Sequence, residues 1–505
     1  MWNKYPRPQM KRSDWMCLNG EWICNGETCY VPECRVEEEL YYEKSFVFEK
    51  NNDRAILRFG AVDQIAEVTL NGVFLGRHEG GYLPFSYEVS HAIKEGDNLL
   101  KVHVIDYLDH TFPYGKQRKD RGGMWYTPIS GIWQTVWLEQ VPSKYIESVK
   151  ITPDLEGADV EIHIDDNGSK SVKNKRITVK NPKLWTPETP HLYARKIKEG
   201  DDEVEIYFGL RTISIEGKKV LLNGEPIFMH GVLDQGYFED GLYLPREQEE
   251  LTADITRLKE LGFNMLRKHI KIEPDTFYYD CDRLGILVIQ DMVNSGDYSF
   301  ARDTALGTAV SILPIKYDDR RGVITWRNQF WVKHTFETIA HLYNHPSIVA
   351  WTLFNEGWGQ FCSDHIYGKV KAADPTRLVD STSGWFAQSL SDFDSEHVYF
   401  RTKTLKPKNR PLLLSECGGY SLNLKDQSAT YGYGKCHDSE ELTDRIIDMY
   451  EKMVIPSIKD GVCGCVYTQL SDVEDEINGL YSFDRKTCKV NANKMRSLAE
   501  RIFNI

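Results

Sequence analysis

The chain has 505 residues, a formal charge of −13, 41% hydrophobic and 27% charged residues, a globular composition too long for one core. The acidic balance and the lack of any long Lys/Arg run exclude a nucleic-acid partner, because phosphate binding needs a basic face. Met1 to Arg12 has no apolar signal core, and no stretch approaches the roughly 18 apolar residues of a membrane helix. The sequence therefore reads as cytoplasmic, with no membrane partner.

Eleven cysteines, odd in number and without CxxC spacing, read as free and mostly buried thiols. Cys17, Cys24, Cys29 and Cys34 fit no short zinc-ligand pair. His341 and His345 stand at helical i, i+4 spacing, and the following Pro346 makes them read as a solvated helix end.

In chain order, short alternating segments come first: Glu38 to Val47, Ala55 to Phe59, Ile65 to Leu70 before Asn71-Gly72, Leu99 to Ile105 and Gln134 to Leu138. Strands of that length, punctuated by such turns, predict a β-sandwich over residues 1–143. Trp133 and Trp137 are expected on one face of its last strand as core packing. Residues 144–216 predict a second, shorter β-sandwich, with strands at Ser148 to Thr152, Asp159 to Ile164, Arg176 to Val179 and Glu203 to Leu210. From 217 to 505 strand and helix alternate. Eight strands, beginning at Ile227, Asn264, Ile286, Ile348, Leu378, Glu396, Leu412 and Cys463, with helices such as Arg246 to Leu261, Phe330 to Tyr343, Ser439 to Ile455 and Lys494 to Phe503, predict a TIM (β/α)8 barrel. The fold class is thus multidomain β plus α/β.

Two of these strands end in acids. The apolar run from Ile348 stops at Asn355-Glu356-Gly357, and Leu412-Leu-Leu-Ser ends at Glu416-Cys-Gly-Gly. Active sites of such barrels lie at the carboxyl ends of the strands, so Glu356 and Glu416 are catalytic candidates. Paired carboxyls are the equipment of glycoside hydrolysis, retaining or inverting.

The order sandwich, small sandwich, barrel resembles glycoside hydrolase family 2, the group of β-galactosidases, β-glucuronidases and β-mannosidases. The motifs that carry the resemblance are Ser130-Gly-Ile-Trp-Gln-Thr-Val-Trp-Leu-Glu, Phe263-Asn-Met-Leu-Arg-Lys-His, Asn344-His-Pro-Ser-Ile-Val-Ala-Trp-Thr-Leu-Phe-Asn-Glu and Ser415-Glu-Cys-Gly-Gly. It implies a jelly-roll sugar-binding type of first domain, an immunoglobulin-like second domain, and a retaining, exo-acting β-glycosidase with Glu356 as acid/base and Glu416 as nucleophile. Asn355 then matches the residue that bonds the sugar C2 hydroxyl, and Tyr399 the tyrosine that bonds the nucleophile. Arg267 and His269 either orient Glu416 or contact the sugar. His397 shares a strand face with Tyr399 and joins the substrate-binding set. Trp385 reads as a stacking platform or a packed aromatic, and Asp234 and Gln235 as ligands of sugar hydroxyls.

Departures from the family narrow the expectation. Gln290-Asp-Met-Val-Asn-Ser-Gly stands where metal-dependent members carry Glu and His ligands, so no metal and no cofactor are expected. Gly123 stands where such enzymes have an acid before Met-Trp. The uronate-gripping Asn-x-Lys signature is absent from Asp472-Val-Glu-Asp-Glu-Ile-Asn-Gly, and Asn423-Leu-Lys425 follows the wrong strand. Acids at Asp472, Glu474, Asp475 and Glu476 would repel a uronate if they line the mouth, or else form a solvated loop. The expected partner is a small-molecule or oligosaccharide β-glycoside with a terminal neutral sugar, β-galactoside favoured. A β-glucuronidase, a β-mannosidase and an inactive carbohydrate-binding barrel stand as alternatives, and the oligomeric state, a homo-oligomer included, is left open.

Overall fold

A computed structural model describes residues 2–301, 303, 326–399, 402–424 and 430–505. Lys425 of the Asn-Leu-Lys triplet lies outside the described residues. Among those described, no helix is long and apolar enough to cross a membrane, and all eleven cysteines are free, eight of them buried.

The first domain packs a four-stranded antiparallel sheet, built from Trp15–Cys17, Val136–Val141, Arg54–Phe59 and Phe85–Glu88, against a six-stranded one. The six-stranded sheet centres on the long pair Glu39–Phe48 and Gly96–Ile105. Alternation produces this: Leu40, Tyr42, Leu100, Val102 and Val104 point into one buried cluster with Leu57 and Phe59 of the facing sheet, as period-two patterning requires. Trp133 and Trp137 are both buried but do not share a strand. Trp137 lies on Val136–Val141 and donates to Glu139 Oε1 at 2.9 Å. Trp133 precedes that strand, donates to the Gly81 carbonyl at 2.7 Å and packs on Tyr243 of the barrel. The β-branched neighbours that suggested one continuous strand are outweighed by this interdomain packing.

The second region holds a three-stranded sheet, Lys144–Pro153, Gly157–Asp166 and Ser169–Thr178, and a hairpin, Tyr193–Glu199 with Asp202–Phe208. Their inner faces share one cluster of Ile146, Ile151, Val160, Ile162, Val204 and Ile206.

Eight parallel strands then form one sheet: β1 (Met229–Asp234), β2 (Met265–Lys268), β3 (Leu287–Asp291), β4 (Ile348–Thr352), β5 (Leu378–Asp380), β6 (Asp394–Val398), β7 (Leu412–Gly418) and β8 (Val462–Thr468). The order β5-β4-β3-β2-β1-β8-β7-β6 is that of a barrel with a seam between β5 and β6. Seven of the eight strands, all but β6, are buried at every position, as expected where side chains fill the barrel inside and helices cover it outside. The inner cluster contains Met229, Leu233, Met265, Leu287, Ile289, Val349, Leu413 and Val466. The covering helices include α1 (Glu249–Glu260), α2 (Asp275–Leu284), α3 (Trp326–Leu342), α4 (Ser363–Ala373), α5 (Ser439–Met449) and α6 (Ala492–Phe503).

Two expectations need correction. The predicted helix over Ser439 to Ile455 stops at Met449, continues as one π turn through Val454 and tightens into a 3-10 turn from Ile455, because Pro456 has no N–H for an α ladder. His345 is not solvated. It is fully buried, and its Nδ1 lies 2.7 Å from Asp282 Oδ2, while His341 Nε2 faces Asp275 at 2.8 Å. The turn at Pro346 leads straight into β4, so the helix end is roofed by the second region rather than by water.

Asp282 is the joint between these parts. Its Oδ2 also accepts the Tyr207 hydroxyl at 2.7 Å, its Oδ1 accepts the Ser347 N–H at 2.9 Å, and its carbonyl accepts the Trp185 indole N–H at 2.7 Å. Removing one partner of a buried ionic network leaves the others unsatisfied. Asp282→Ala is therefore expected to cost about 3–5 kcal/mol of stability, read from denaturant unfolding; a loss below about 1 kcal/mol would show that the joint is dispensable.

Candidate functional site

The chain leaves β4 through Leu353-Phe354-Asn355. Asn355 bridges Ser383 beyond β5, and the Glu356 N–H donates to the Ser383 carbonyl at 3.0 Å. Glu356 itself adopts a left-handed φ of +53°, a conformation uncommon for a side-chain-bearing residue and frequent where a functional group is aimed. Gly357 follows at φ +78°, and a Cβ there would lie 2.3 Å from the Phe386 ring, so glycine is the residue that lets the chain turn away.

Glu416 is aimed by a different device. The register between β7 and its neighbours shifts just before it, between Glu396 and His397 on one side and between Leu414 and Cys417 on the other. Such irregularities re-aim a side chain at a strand end. The Arg267 guanidinium from β2 donates to Glu416 Oε1 at 3.0 Å, to Asp291 Oδ1 at 2.9 Å, to Asn355 Oδ1 at 2.9 Å and to the Ser415 carbonyl at 3.1 Å. The Tyr399 hydroxyl donates to Glu416 Oε2 and stands 3.2 Å from Thr468 Oγ1. His397 on β6 joins the two acids: its Nδ1 is 2.7 Å from Glu356 Oε1 and 3.5 Å from Glu416 Oε2.

Electrostatics acts on Glu416 and on the groups that hold it. Burial pushes Glu416 up, but His397, then Arg267, together with the Tyr399 hydrogen bond, outweigh it and bring it down to about 2. Glu416 is therefore held ionised. Burial, then the Glu416 charge, hold the Tyr399 hydroxyl well above its ordinary value, so it stays a donor. Burial, then the Lys116 and Arg267 charges, drive His269 well below its usual range; its Nδ1 lies 2.8 Å from Asp291 Oδ2. Asp291 goes up, since its burial exceeds the pull of Arg267.

The sequence candidates divide accordingly. Glu356, Glu416, Asn355, Tyr399 and His269 line one narrow cavity with about 30 Å³ of free space. Arg267 is fully buried behind it and touches Glu416 and Asn355. His397 has a fully enclosed side chain and reaches both acids without lining the cavity. Trp385 does not line it; its indole N–H donates to the Glu356 carbonyl at 3.1 Å, which fixes the loop. Asp234 is a correction: it was expected to hold sugar hydroxyls, but it is buried, absent from the cavity wall and paired with Lys268 Nζ at 2.6 Å. The β-strand period turns Asp234 toward the Lys268 side, and Gln235 is the neighbour that lines the cavity.

Several wall residues were not singled out from the sequence. Lys116, Met124 and Trp125 come from the first domain, and Tyr298, Trp358 and Tyr433 from the barrel loops. Tyr433 stacks on Tyr399 at 4.0 Å. The acidic stretch after β8 splits: Asp472 pairs with Lys489 at 2.7 Å and Glu474 with Arg121 at 3.1 Å, whereas Glu476 lines the cavity, accepting from the Tyr126 hydroxyl and Asn478. The Gly122–Trp125 turn that carries two of these groups had a visible signal in Gly-Gly-Met-Trp; Lys116 had none. Among the described residues, Glu356, His397 and Glu416 form the one group compact enough to hold a metal ion, with donor atoms within 4.8 Å of one another. Each Glu416 oxygen already accepts from a protein donor, so a cation there competes with Arg267 and Tyr399.

A sandwich, a small β domain and a barrel whose strand ends present two carboxyls in one cavity define the ground plan of a glycoside hydrolase. The model for the TIM barrel domain of glycosyl hydrolases family 2 matches residues 213–483, more than half of the chain, the family's galactose-binding domain-like model matches 32–132, and a third, described as glycosyl hydrolases family 2, matches 164–211. The chain belongs to glycosyl hydrolase family 2. It is 28% identical over 468 residues to a β-galactosidase of Lactococcus lactis subsp. lactis, covering 83% of this chain and 43% of that protein. It is 27% identical over 386 residues to a putative β-glucuronidase of Formosa agariphila, covering 68% of this chain and 34% of that protein. The chain thus spans well under half the length of these two relatives. The fold is shared with the β-D-glucuronidase of Dictyoglomus thermophilum, at TM-score 0.76 and 20% identity over 99% of each chain. A β-galacturonidase of Eisenbergiella tayi gives TM-score 0.76 at 19% identity, over 99% of this chain and 98% of that one.

Arg267 offers a pH-dependent test of this electrostatic frame. Arg267→Leu leaves Glu416 and Asp291 buried without their cation and is expected to cost about 3–5 kcal/mol near neutral pH. In the variant both carboxyls have raised folded-state pKa values, so the deficit is present above their unfolded values of about 4 and shrinks as they protonate. In the intact protein the depressed Glu416 adds stability above its unfolded value, lost as pH falls toward about 2. The gap in unfolding free energy should narrow between about pH 7 and pH 4; a constant gap would refute the assignment.

Proposed function

We infer that the protein is a retaining, exo-acting β-glycosidase that works through a covalent glycosyl-enzyme. The observation that carries this reading is the separation of the acids: oxygens of Glu356 and Glu416 face one imidazole and lie within 4.8 Å of each other. Retaining enzymes hold their carboxyls about 5–5.5 Å apart, whereas inverting ones leave about 6.5–9.5 Å for a water. Glu416, held at both oxygens by Arg267 and Tyr399 and kept ionised, attacks the anomeric carbon. Glu356 protonates the departing oxygen, and once ionised it takes a proton from the water that cleaves the glycosyl ester. Asn355, fixed by Arg267, offers a hydrogen bond to the C2 hydroxyl. The narrow cavity favours a terminal sugar over an internal one. No metal or cofactor enters this mechanism.

The sugar proposed is neutral, with β-galactoside first. Glu476 supports this by placing a carboxylate in the cavity wall, where it opposes a uronate. A second reading, a β-uronide, is favoured by Lys116, whose ammonium belongs to the same wall; relatives and fold neighbours carry names of both kinds.

A panel of p-nitrophenyl glycosides distinguishes the two readings. Turnover is expected on the β-galactoside, and a preference for the β-glucuronide or β-galacturonide would replace the neutral reading with the second. The first-formed sugar, followed by NMR, should be the β anomer; an α product would remove Glu416 as nucleophile. Glu356→Gln should lower kcat/KM by about 10²–10⁴-fold on substrates that need a protonated leaving group, and Glu416→Gln should abolish turnover. Absence of turnover on every glycoside would favour a carbohydrate-binding barrel.

A further inference from the structure

The imidazole of His397 is fully enclosed, yet it stands in line between the proposed acid/base and a serine. Its Nδ1 is 2.7 Å from Glu356 Oε1, and its Nε2 is 3.0 Å from Ser383 Oγ. Ser383 is also the residue whose carbonyl accepts the Glu356 N–H and whose backbone bridges Asn355. Space for the ring is cut by Gly384: a Cβ on that residue would lie 2.9–3.0 Å from three atoms of the imidazole. Trp385 closes the far side, with its ring edge-on at 5.4 Å and its indole N–H on the Glu356 carbonyl. Three consecutive residues after β5 therefore hold the ring, and the ring holds Glu356.

We propose that His397 is a positioning residue that fixes on which oxygen Glu356 carries its proton, with Ser383 as the anchor of the ring. This rests on the reading of Glu356 as acid/base. Nδ1, 2.7 Å from Oε1 of Glu356, is the ring nitrogen placed to donate to that oxygen, while the Ser383 hydroxyl meets Nε2 at 3.0 Å and fixes the ring's other edge. An oxygen that accepts from Nδ1–H is a poor place for the acid proton, which is thereby confined to Oε2. Among the described residues, no hydrogen bond reaches Oε2, and the cavity is lined by Glu356. The same bond keeps the carboxylate from rotating once it has given up its proton, so the oxygen that protonates the leaving group is also the one that later receives the proton from water. Glu416 does not need this help, since Arg267 and Tyr399 hold both of its oxygens.

The test uses the full chain and three glycosides of one sugar, with dinitrophenyl, p-nitrophenyl and methyl leaving groups. A dinitrophenolate departs without a proton, whereas methoxide needs one. In His397→Ala, kcat/KM should fall by about 10–10²-fold on the methyl glycoside and stay close to the wild-type value on the dinitrophenyl glycoside. On the latter, kcat and KM should fall together, because hydrolysis of the glycosyl-enzyme, where Glu356 acts as base, becomes limiting. His397→Asn keeps a side-chain N–H near the place of Nδ1 and should recover most of the loss. A loss equal on all three leaving groups, with Asn no better than Ala, overturns the proposal. Should His397→Ala fail to fold, Ser383→Ala decides: it leaves the ring in place but unanchored, and the same dependence on the leaving group is expected at smaller amplitude, its absence again overturning the proposal. Wild-type inactivity on every glycoside would instead defeat the glycosidase reading, and this inference with it; wild-type turnover with a uniform loss defeats this inference alone.

Discussion

The buried guanidinium of Arg267 is the constraint on which the rest of the site depends. It carries a full charge into the barrel with no exposure, a position tolerable only when its donors are met by well-placed acceptors. The acceptors come from β3, β7 and the segment after β4: Asp291, Glu416 with the Ser415 carbonyl, and Asn355. One planar fork therefore sets the mutual positions of strand ends far apart in sequence, which a flexible lysine ammonium would not do with the same geometry. Burial works to discharge the guanidinium, but the charges of Asp291 and Glu416 more than offset it and hold its pKa above the ordinary value.

The opposite side of the barrel is arranged differently. Among the described residues, β5 and β6 share no ladder bonds, so the sheet ends at both. Side chains and single backbone bonds span the gap: the Asp392 N–H donates to the Val379 carbonyl at 2.9 Å, and Ser395 Oγ to Asp380 Oδ2 at 2.8 Å. The contact between Ser383 and His397 is the uppermost of these stitches. The seam thus gives the site a side-chain group between two carboxyls at the expense of backbone pairing.

Much of this was legible in the sequence because the signals were local. Ile348 to Asn355 and Leu412 to Glu416 read as apolar strands ending in acids, and all eight barrel strands fall where alternation of strand and helix placed them. Tyr399 and Arg267 were reachable through motif residues. The misreadings share a cause: burial by another domain overrides local pattern. His345 looked like a helix end in water until Tyr207 and Asp282 enclosed it, and Asp234 looked like a ligand until Lys268 claimed it. The role of Ser383 had no pattern to announce it, since Asp380-Ser-Thr-Ser-Gly reads equally well as an ordinary turn.

The cavity has walls of two origins. Its reacting groups stand on barrel strands whose side chains are locked by burial, while Lys116, Met124 and Trp125 arrive from a surface loop of the sandwich. Loops of this kind accept insertions and exchanges that a packed strand does not. A lineage could thus acquire a taste for a new sugar by rewriting a few codons between 116 and 125, more than two hundred and thirty positions upstream of either acid, and inherit the carboxyl pair unchanged.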